Sequence, residues 1–134
     1  MVTRSIIDSD FESILRRVDL LVSGRGRLIS DPASRCLCAV PITGGTVVAV
    51  EILLDRARVN AGLGAAFYVP RDSEGFVCLV VEVIEAIMRG DFVQYVSKDG
   101  SSRASRCYVR YASGSLGDEQ PEADEIAVRA PAWE

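Results

Sequence analysis

The chain has 134 residues, 49% of them hydrophobic and 25% charged, which is the composition of a globular domain and not of a disordered segment. It contains no histidine, so it lacks the commonest general base and transition-metal ligand, which argues against hydrolases with a histidine-dependent triad. Residues 118–134 carry six acids and one arginine, a balance of −5, whereas the first 117 residues carry 13 acids and 14 bases, a balance of +1. A near-neutral body with an acidic tail does not favour nucleic-acid binding.

Length, apolar runs and cysteine spacing also indicate the number of domains, the location of the protein and whether it binds a metal. The size predicts one domain, and the first residues contain no apolar stretch like that of a secretory leader. The longest apolar run is broken by Glu82 and is shorter than the roughly 20 residues of a membrane span. We therefore expect a cytoplasmic protein that does not enter a membrane. The spacing of Cys36, Cys38, Cys78 and Cys107 does not match a zinc site, so we expect reduced thiols, no metal and no cofactor.

The first half of the chain reads as one helix followed by strands. Residues 8–23 predict a helix with a capping box at Ser9 and Glu12 and a stop at Gly24. The following residues predict four strands, separated by turns and by a loop over 56–64. The strands cover 27–30, 36–42, 46–54 and 65–69.

The second half is organised around residues 73–90, whose broad apolar face predicts a helix in the middle of the domain. Asp72 and Ser73 are its predicted N-caps. A hairpin of 92–98 and 103–111 should then turn at Asp99-Gly100. Residues 113–125 predict a mobile acidic loop, and 126–133 should dock back on the body, with a short strand at 126–128.

These elements predict a single α+β domain over residues 1–134. Strands that follow one another without helical crossovers pair antiparallel. We therefore expect a mostly antiparallel sheet of five to seven strands with two helices packed on one face.

The late hairpin supplies a candidate binding surface. Its period of two places Phe92, Cys107 and Val109 among the core residues of one face. The opposite, outward face interleaves tyrosine and arginine, which are enriched at protein-binding hot spots. Its candidate partner-binding residues are Tyr95, Arg106, Tyr108 and Arg110. A plain solvated strand face and a site for phosphate or single-stranded bases are the alternatives.

The tail supplies a second candidate surface. Its carboxylates should steer a basic partner, and Trp133 would be an apolar anchor. The acidic candidates are Asp118, Glu119, Glu122, Asp124 and Glu125.

A pocket between sheet and helices is the alternative site. Glu51 stands among apolar neighbours in a predicted strand, with Arg56 and Arg58 just beyond it. A carboxylate and arginines in such a pocket would indicate a small ligand-binding domain or an enzyme.

Residues 73–111 resemble small bacterial immunity proteins of polymorphic toxin systems. The shared features are a helix ending in EAIMRG, the strand FVQYV, a DG turn and a further strand. The resemblance implies a compact, non-enzymatic, cytoplasmic α+β domain that neutralises a cognate toxin by covering its active site. Type III secretion chaperones are similar in size and acidity, but they would be expected to end in an amphipathic helix, which the tail after Ser113 does not predict. A secretion chaperone or another homodimeric adaptor is a further alternative. The identity of the partner and the oligomeric state stay open.

Overall fold

The computed structural model describes residues 2–62, 65–100 and 106–134. Within these ranges the chain forms two helices and nine strands, which confirms the predicted α+β class for a single domain. The elements in chain order are α1 (Val2–Val22), β1 (Gly26–Asp31), β2 (Cys36–Pro41), β3 (Val48–Ile52), β4 (Arg56–Ala61), β5 (Ala65–Pro70), α2 (Phe76–Arg89), β6 (Phe92–Ser97), β7 (Arg106–Tyr111), β8 (Gly114–Gly117) and β9 (Glu125–Arg129).

The strands form two antiparallel sheets. The first sheet holds β1 to β5 side by side in chain order, and the second has the order β8-β7-β6-β9. The sequence predicted one sheet of five to seven strands, whereas the described residues divide nine strands between two sheets. The reason is α2, which separates β5 from β6 along the chain and packs against strands of both sheets.

Two strands lie where loops were predicted. β4 occupies most of the predicted loop 56–64 and alternates exposed Arg56 and Arg58 with buried positions around Val59. Its other two buried residues are alanines, which give a weak apolar signal although the period of two is present. β8 lies within the predicted loop 113–125 and is a short edge strand. Its glycine and serine residues give little strand signal in the sequence.

α1 begins earlier than predicted. It runs from Val2, so the proposed capping box at Ser9 and Glu12 lies inside the helix and not at its start. The apolar stripe explains this difference, since it extends back to Ile7, which is buried with Phe11. Leu20, on the opposite side of the helix, points to solvent.

The end of α2 is capped as the sequence predicted, but its start is not. Its N-cap is Gly75 with a φ of 65°, and no side chain caps it, so Asp72 and Ser73 do not act as caps. Glycine suits this position because a left-handed residue there reverses the chain between β5 and the helix. At the other end Gly90 has a φ of 85° and donates its N–H to the carbonyl of Ile87.

Both helices cover the same face of the first sheet. α1 lies against β1 and β2, and α2 lies against β3, β4 and β5 as well as β7. The two sheets also meet directly, since the rings of Phe67 and Phe92 pack edge to face at 5.6 Å. The core therefore sits between the helices and the sheets, and the helices leave the opposite face of the first sheet uncovered.

The segment after β9 docks on the body, as the sequence predicted. Trp133 is 6% exposed, and its indole N–H donates to the carbonyl of Thr46 at 2.7 Å. Its backbone N–H donates to the carbonyl of Met88 at the end of α2. A side chain at Gly26 or Gly45 would collide with the Trp133 ring, so both glycines are required by this close approach. The ring therefore joins the first sheet to α2.

Trp133 should contribute strongly to stability. We expect Trp133→Ala to lower the free energy of unfolding by about 3–5 kcal/mol, because it leaves a large cavity. Trp133→Phe should cost about 1–3 kcal/mol, because it leaves the Thr46 carbonyl unpaired. Leu20→Ala, at a side chain that is 79% exposed, should change stability by less than about 0.5 kcal/mol. Urea denaturation checks the series, and equal losses for Trp133→Ala and Leu20→Ala would contradict it.

Candidate functional site

The predicted tyrosine and arginine face exists on the second sheet. Tyr95 pairs with Arg106, and Val93 pairs with Tyr108, so these side chains project from the same side. Because Arg110 follows Tyr108 by two residues, it shares that side. We call Tyr95, Arg106, Tyr108 and Arg110 the Tyr/Arg face.

Tyr95 was predicted to point to solvent, but the structure buries it. Its side chain is 3% exposed because the chain after β8 folds over it. The Tyr95 hydroxyl donates to the backbone carbonyl of Asp118 at 2.6 Å, and the Arg106 guanidinium lies 5.3 Å from the ring centroid. Tyr95 is therefore a support for the acidic segment and cannot itself contact a partner in this conformation.

Arg106 is the centre of an ion-pair network with the acidic segment, which we define as residues 118–125. It pairs with Glu125, with Asp118 at 3.4 Å and with Glu122 at 3.9 Å. It also donates to the carbonyl of Gln120. Desolvation tends to lower the pKa of Arg106, but the carboxylates of Glu125, Asp118 and Glu122 outweigh it and raise that pKa above its ordinary value. Arg106 thus holds the segment in place.

Backbone hydrogen bonds fix both ends of the acidic segment. The N–H of Asp118 donates to the carbonyl of Cys107, and the N–H of Lys98 donates to the carbonyl of Asp124. A turn lies between them, because the N–H of Glu122 donates to the Glu125 carboxylate at 2.9 Å. The predicted loop 113–125 is therefore partly strand and partly anchored, and its mobility stays a prediction.

The remaining candidates on this sheet reach solvent. Glu119 and Asp124 are exposed, and their side chains pair with no other residue in the described ranges. Asp118 and Glu122 touch Arg106 but keep 59% and 68% of their side chains exposed. Tyr108 is half-buried and Arg110 is exposed beside them. The surface left for a partner is acidic, with one tyrosine and one arginine at its side.

Trp133 is not part of this surface. The sequence offered it as an anchor for a partner, but it is buried against Thr46 and Met88 within the chain's own core. The sequence around a single tryptophan in an acidic tail does not distinguish a side chain that packs in the chain's own core from one that is exposed to a partner. The two glycines that its ring requires, Gly26 and Gly45, lie about a hundred residues away in sequence and could not be linked to it by spacing.

The alternative pocket residues lie on the uncovered face of the first sheet. The strand register places Glu51 directly opposite Arg58 on β4 and Cys36 on β2. Arg56 is on the same face but turns away, because its guanidinium lies 4.6 Å from the Tyr68 ring centroid and 3.9 Å from Asp55. The structure therefore brings Glu51 and Arg58 together and separates Arg56 from them.

A cavity of about 310 Å³ lies over this part of the sheet. Half-buried Glu51 lines it together with Arg58, Cys38, Asn60 and Ile29. Asn60 was missed as a site residue because the sequence predicted a loop over 56–64, whereas Ile29 and Cys38 lie in predicted strands whose alignment with Glu51 follows only from the sheet register. The alternation of Arg56, Arg58 and Asn60 with small apolar residues was the signal that could have revealed β4.

Comparisons with protein-family models, with curated proteins and with solved structures found no significant match to this chain. The described residues contain no group of three or more acidic, cysteine or histidine side chains placed to hold a metal ion. Among those residues, neither helix combines the length and apolarity that crossing a membrane requires.

Removing the guanidinium of Arg106 should loosen the acidic segment. We expect Arg106→Gln to speed amide hydrogen exchange severalfold across residues 118–125, because three carboxylates lose their shared partner. Arg110→Gln is the matched control on the same face, and it should leave that exchange unchanged. Unaltered exchange in Arg106→Gln would contradict the role given to Arg106.

The buried thiol of Cys107 predicts a loss of stability at alkaline pH. Burial, reinforced by the charge of Asp118, raises the pKa of this thiol from 9.0 to about 11. The folded chain therefore keeps the proton where the unfolded chain loses it. The resulting stabilisation is complete below pH 9.0 and is lost as the pH rises to about 11.

The free energy of unfolding of Cys107→Ala should accordingly fall less steeply between pH 9.0 and about 11 than that of the unmodified chain. Burial also raises the pKa of Tyr95 and Tyr111, so part of the slope is common to every variant. Exposed Cys78 provides the control, since Cys78→Ala should keep the original slope. Denaturation at several pH values measures this slope of the free energy of unfolding against pH. Equal slopes for the two alanine variants would show that the Cys107 thiol does not cause the alkaline loss of stability.

Proposed function

We propose that this chain is a non-enzymatic cytoplasmic binding protein that uses the acidic segment to bind a basic surface of a protein partner. The resemblance to immunity proteins makes a cognate toxin, neutralised by occlusion, the partner of choice. The observation that carries the proposal is the attachment of the segment to the second sheet by Arg106 and by the Tyr95 hydroxyl.

This attachment matters because like charges resist being held together. The five carboxylates of the acidic segment repel one another, and a free chain of this composition would stay extended. Arg106 compensates three of them, so the segment is held near the sheet while Glu119 and Asp124 face solvent. A surface ordered before binding loses less conformational entropy when the partner arrives.

The charge distribution supports a basic partner. The acidic segment is strongly negative, and the body of the chain is close to neutral. Exposed charges arranged in this way attract an oppositely charged surface and increase the association rate more than the final affinity. Tyr108 and Arg110, at the side of the segment, would add contact area and hydrogen-bond donors.

A secretion chaperone or another homodimeric adaptor is the alternative function. Analytical ultracentrifugation tests this alternative, since a clean monomer would disfavour it.

Co-purification identifies the partner. Tagged chain expressed in its native host should recover one stoichiometric protein, and the product of a neighbouring gene is the first to test. Recovery of no stoichiometric partner would count against the binding function.

The exposed carboxylates that do not touch Arg106 should set the association rate. We expect Glu119→Gln combined with Asp124→Asn to slow association with that partner about threefold or more at low salt. The effect should shrink at physiological ionic strength, where the Debye length is about 8 Å. Stopped-flow or surface plasmon resonance measures the rates.

The matched control removes the same two charges elsewhere. Asp72→Asn combined with Glu74→Gln alters exposed residues between β5 and α2 and should leave the association rate nearly unchanged. A low-salt rate that both double variants reduce equally would mean that net charge, and not the acidic segment, steers the partner.

A further inference from the structure

The cavity on the first sheet is lined by two side chains of opposite charge, Glu51 and Arg58, which do not form an ion pair with each other. Glu51 and Arg58 face one another across β3 and β4. Neither side chain forms a hydrogen bond or an ion pair with any residue in the described part of the chain. Arg35, by contrast, is paired with Asp8 at 2.8 Å. The Glu51 and Arg58 side chains are therefore both available to a ligand.

Asp31 and Cys36, in the same row as Glu51, already form hydrogen bonds within the chain. Both carboxylate oxygens of Asp31 accept hydrogen bonds within the turn after β1, from the N–H of Ala33 and the hydroxyl of Ser34. The Cys36 thiol donates to the carbonyl of Ser34. Glu51 and Arg58 are consequently the charged groups in the cavity wall that remain unengaged.

The row of the wall beside Glu51 and Arg58 carries no charge. Ile29, Cys38 and Ala49 form one row across β1, β2 and β3 beside the row that contains Glu51. Desolvation raises the pKa of the Cys38 thiol, which keeps it protonated near neutral pH. A ligand in this cavity thus meets the unpaired Glu51 and Arg58, with the hydrogen-bonded Asp31 carboxylate at the end of the same row, on one side and an uncharged row on the other.

We propose that the cavity binds a small zwitterion with an apolar body, of the class of α-amino acids with apolar side chains. The ammonium group would donate to Glu51, and the carboxylate would accept from the Arg58 guanidinium. The apolar side chain would lie along Ile29, Cys38 and Ala49. Because Glu51 and Arg58 lie on neighbouring strands, they favour a ligand whose two charged groups are close together. In an α-amino acid the ammonium and the carboxylate are bonded to the same carbon atom.

The cavity size fits this class. Small-molecule sites span about 300–1,000 Å³. A volume of about 310 Å³ lies at the lower end of that range and suits a ligand of amino-acid size. Charge-assisted hydrogen bonds at both ends would orient the ligand, and arginine is well suited to bind a carboxylate with two parallel donors.

Amide-detected NMR titration with leucine, methionine and phenylalanine tests the proposal on the intact chain. At least one probe should give saturable shifts that include the amides of Cys38, Ala49 and Asn60. Three analogues dissect the recognition: 4-methylpentanoate lacks the ammonium, 3-methylbutylamine lacks the carboxylate, and glycine lacks the apolar body. Each should bind at least about tenfold more weakly than leucine, because each loses one group of contacts.

Substitutions test the residues. Glu51→Gln and Arg58→Gln should each raise the Kd at least about tenfold. Arg56→Gln, on the same face but stacked over Tyr68, should change it less than about twofold. The dispersion of each spectrum shows that the variant is folded. Absence of saturable shifts with all three amino acids, or equal affinity of the unmodified chain and Glu51→Gln, would overturn the proposal.

This site and the acidic segment lie on different sheets and are tested by different measurements. The titration needs no protein partner, so its failure leaves the proposed partner binding untouched. Conversely, a chain that recovers no protein partner can still bind the zwitterion.

Discussion

The apolar surface of α2 is buried on two sides, and the rest of the architecture depends on this burial. One side covers β3, β4 and β5 of the first sheet, and another contacts β7 of the second sheet. A helix in this position removes a large apolar area from water, which is the main favourable contribution to folding. It also determines which faces the helices leave open, namely one face of the first sheet and the Tyr/Arg face of the second.

The two sheets use charge in opposite ways. On the second sheet, Arg106 gathers carboxylates from a segment that would otherwise repel itself, and Tyr95 is buried beneath that segment. On the first sheet, Glu51 and Arg58 stand opposite one another without pairing. Paired charges order the polypeptide, whereas unpaired charges beside an apolar wall are available to something else. The division separates a surface suited to a macromolecule from a cavity suited to a small molecule.

Much of the fold could be predicted from local patterns, because period and composition are local properties. The broad apolar face of α2, its stop at Gly90 and the period of two in the late hairpin all correspond to the structure. β4 was missed because two of its three buried positions are alanines, which add little hydrophobicity to the pattern. The division into two sheets was also missed, since strand neighbours across α2 are not encoded in any short stretch.

The site was less predictable because exposure depends on what the chain does far away in sequence. Alternation correctly placed Tyr95 and Arg106 on one face, but it could not reveal that residues 118–125 return to cover them. In the same way, Glu51 was recognised as unusual in an apolar strand, whereas its opposition to Arg58 follows only from the register of β3 and β4.

The docking of Trp133 gives the chain an internal optical reporter. It is the single tryptophan in the sequence, and its indole is buried and hydrogen-bonded to a backbone carbonyl. Its surroundings include Gly26, Gly45 and Thr46, none of which belongs to the acidic segment or lines the Glu51 cavity. Tryptophan emission therefore reports on the junction of the first sheet with α2. A spectral change in a variant of either proposed binding surface would indicate altered folding, while an unchanged spectrum would assign any loss of binding to the surface itself.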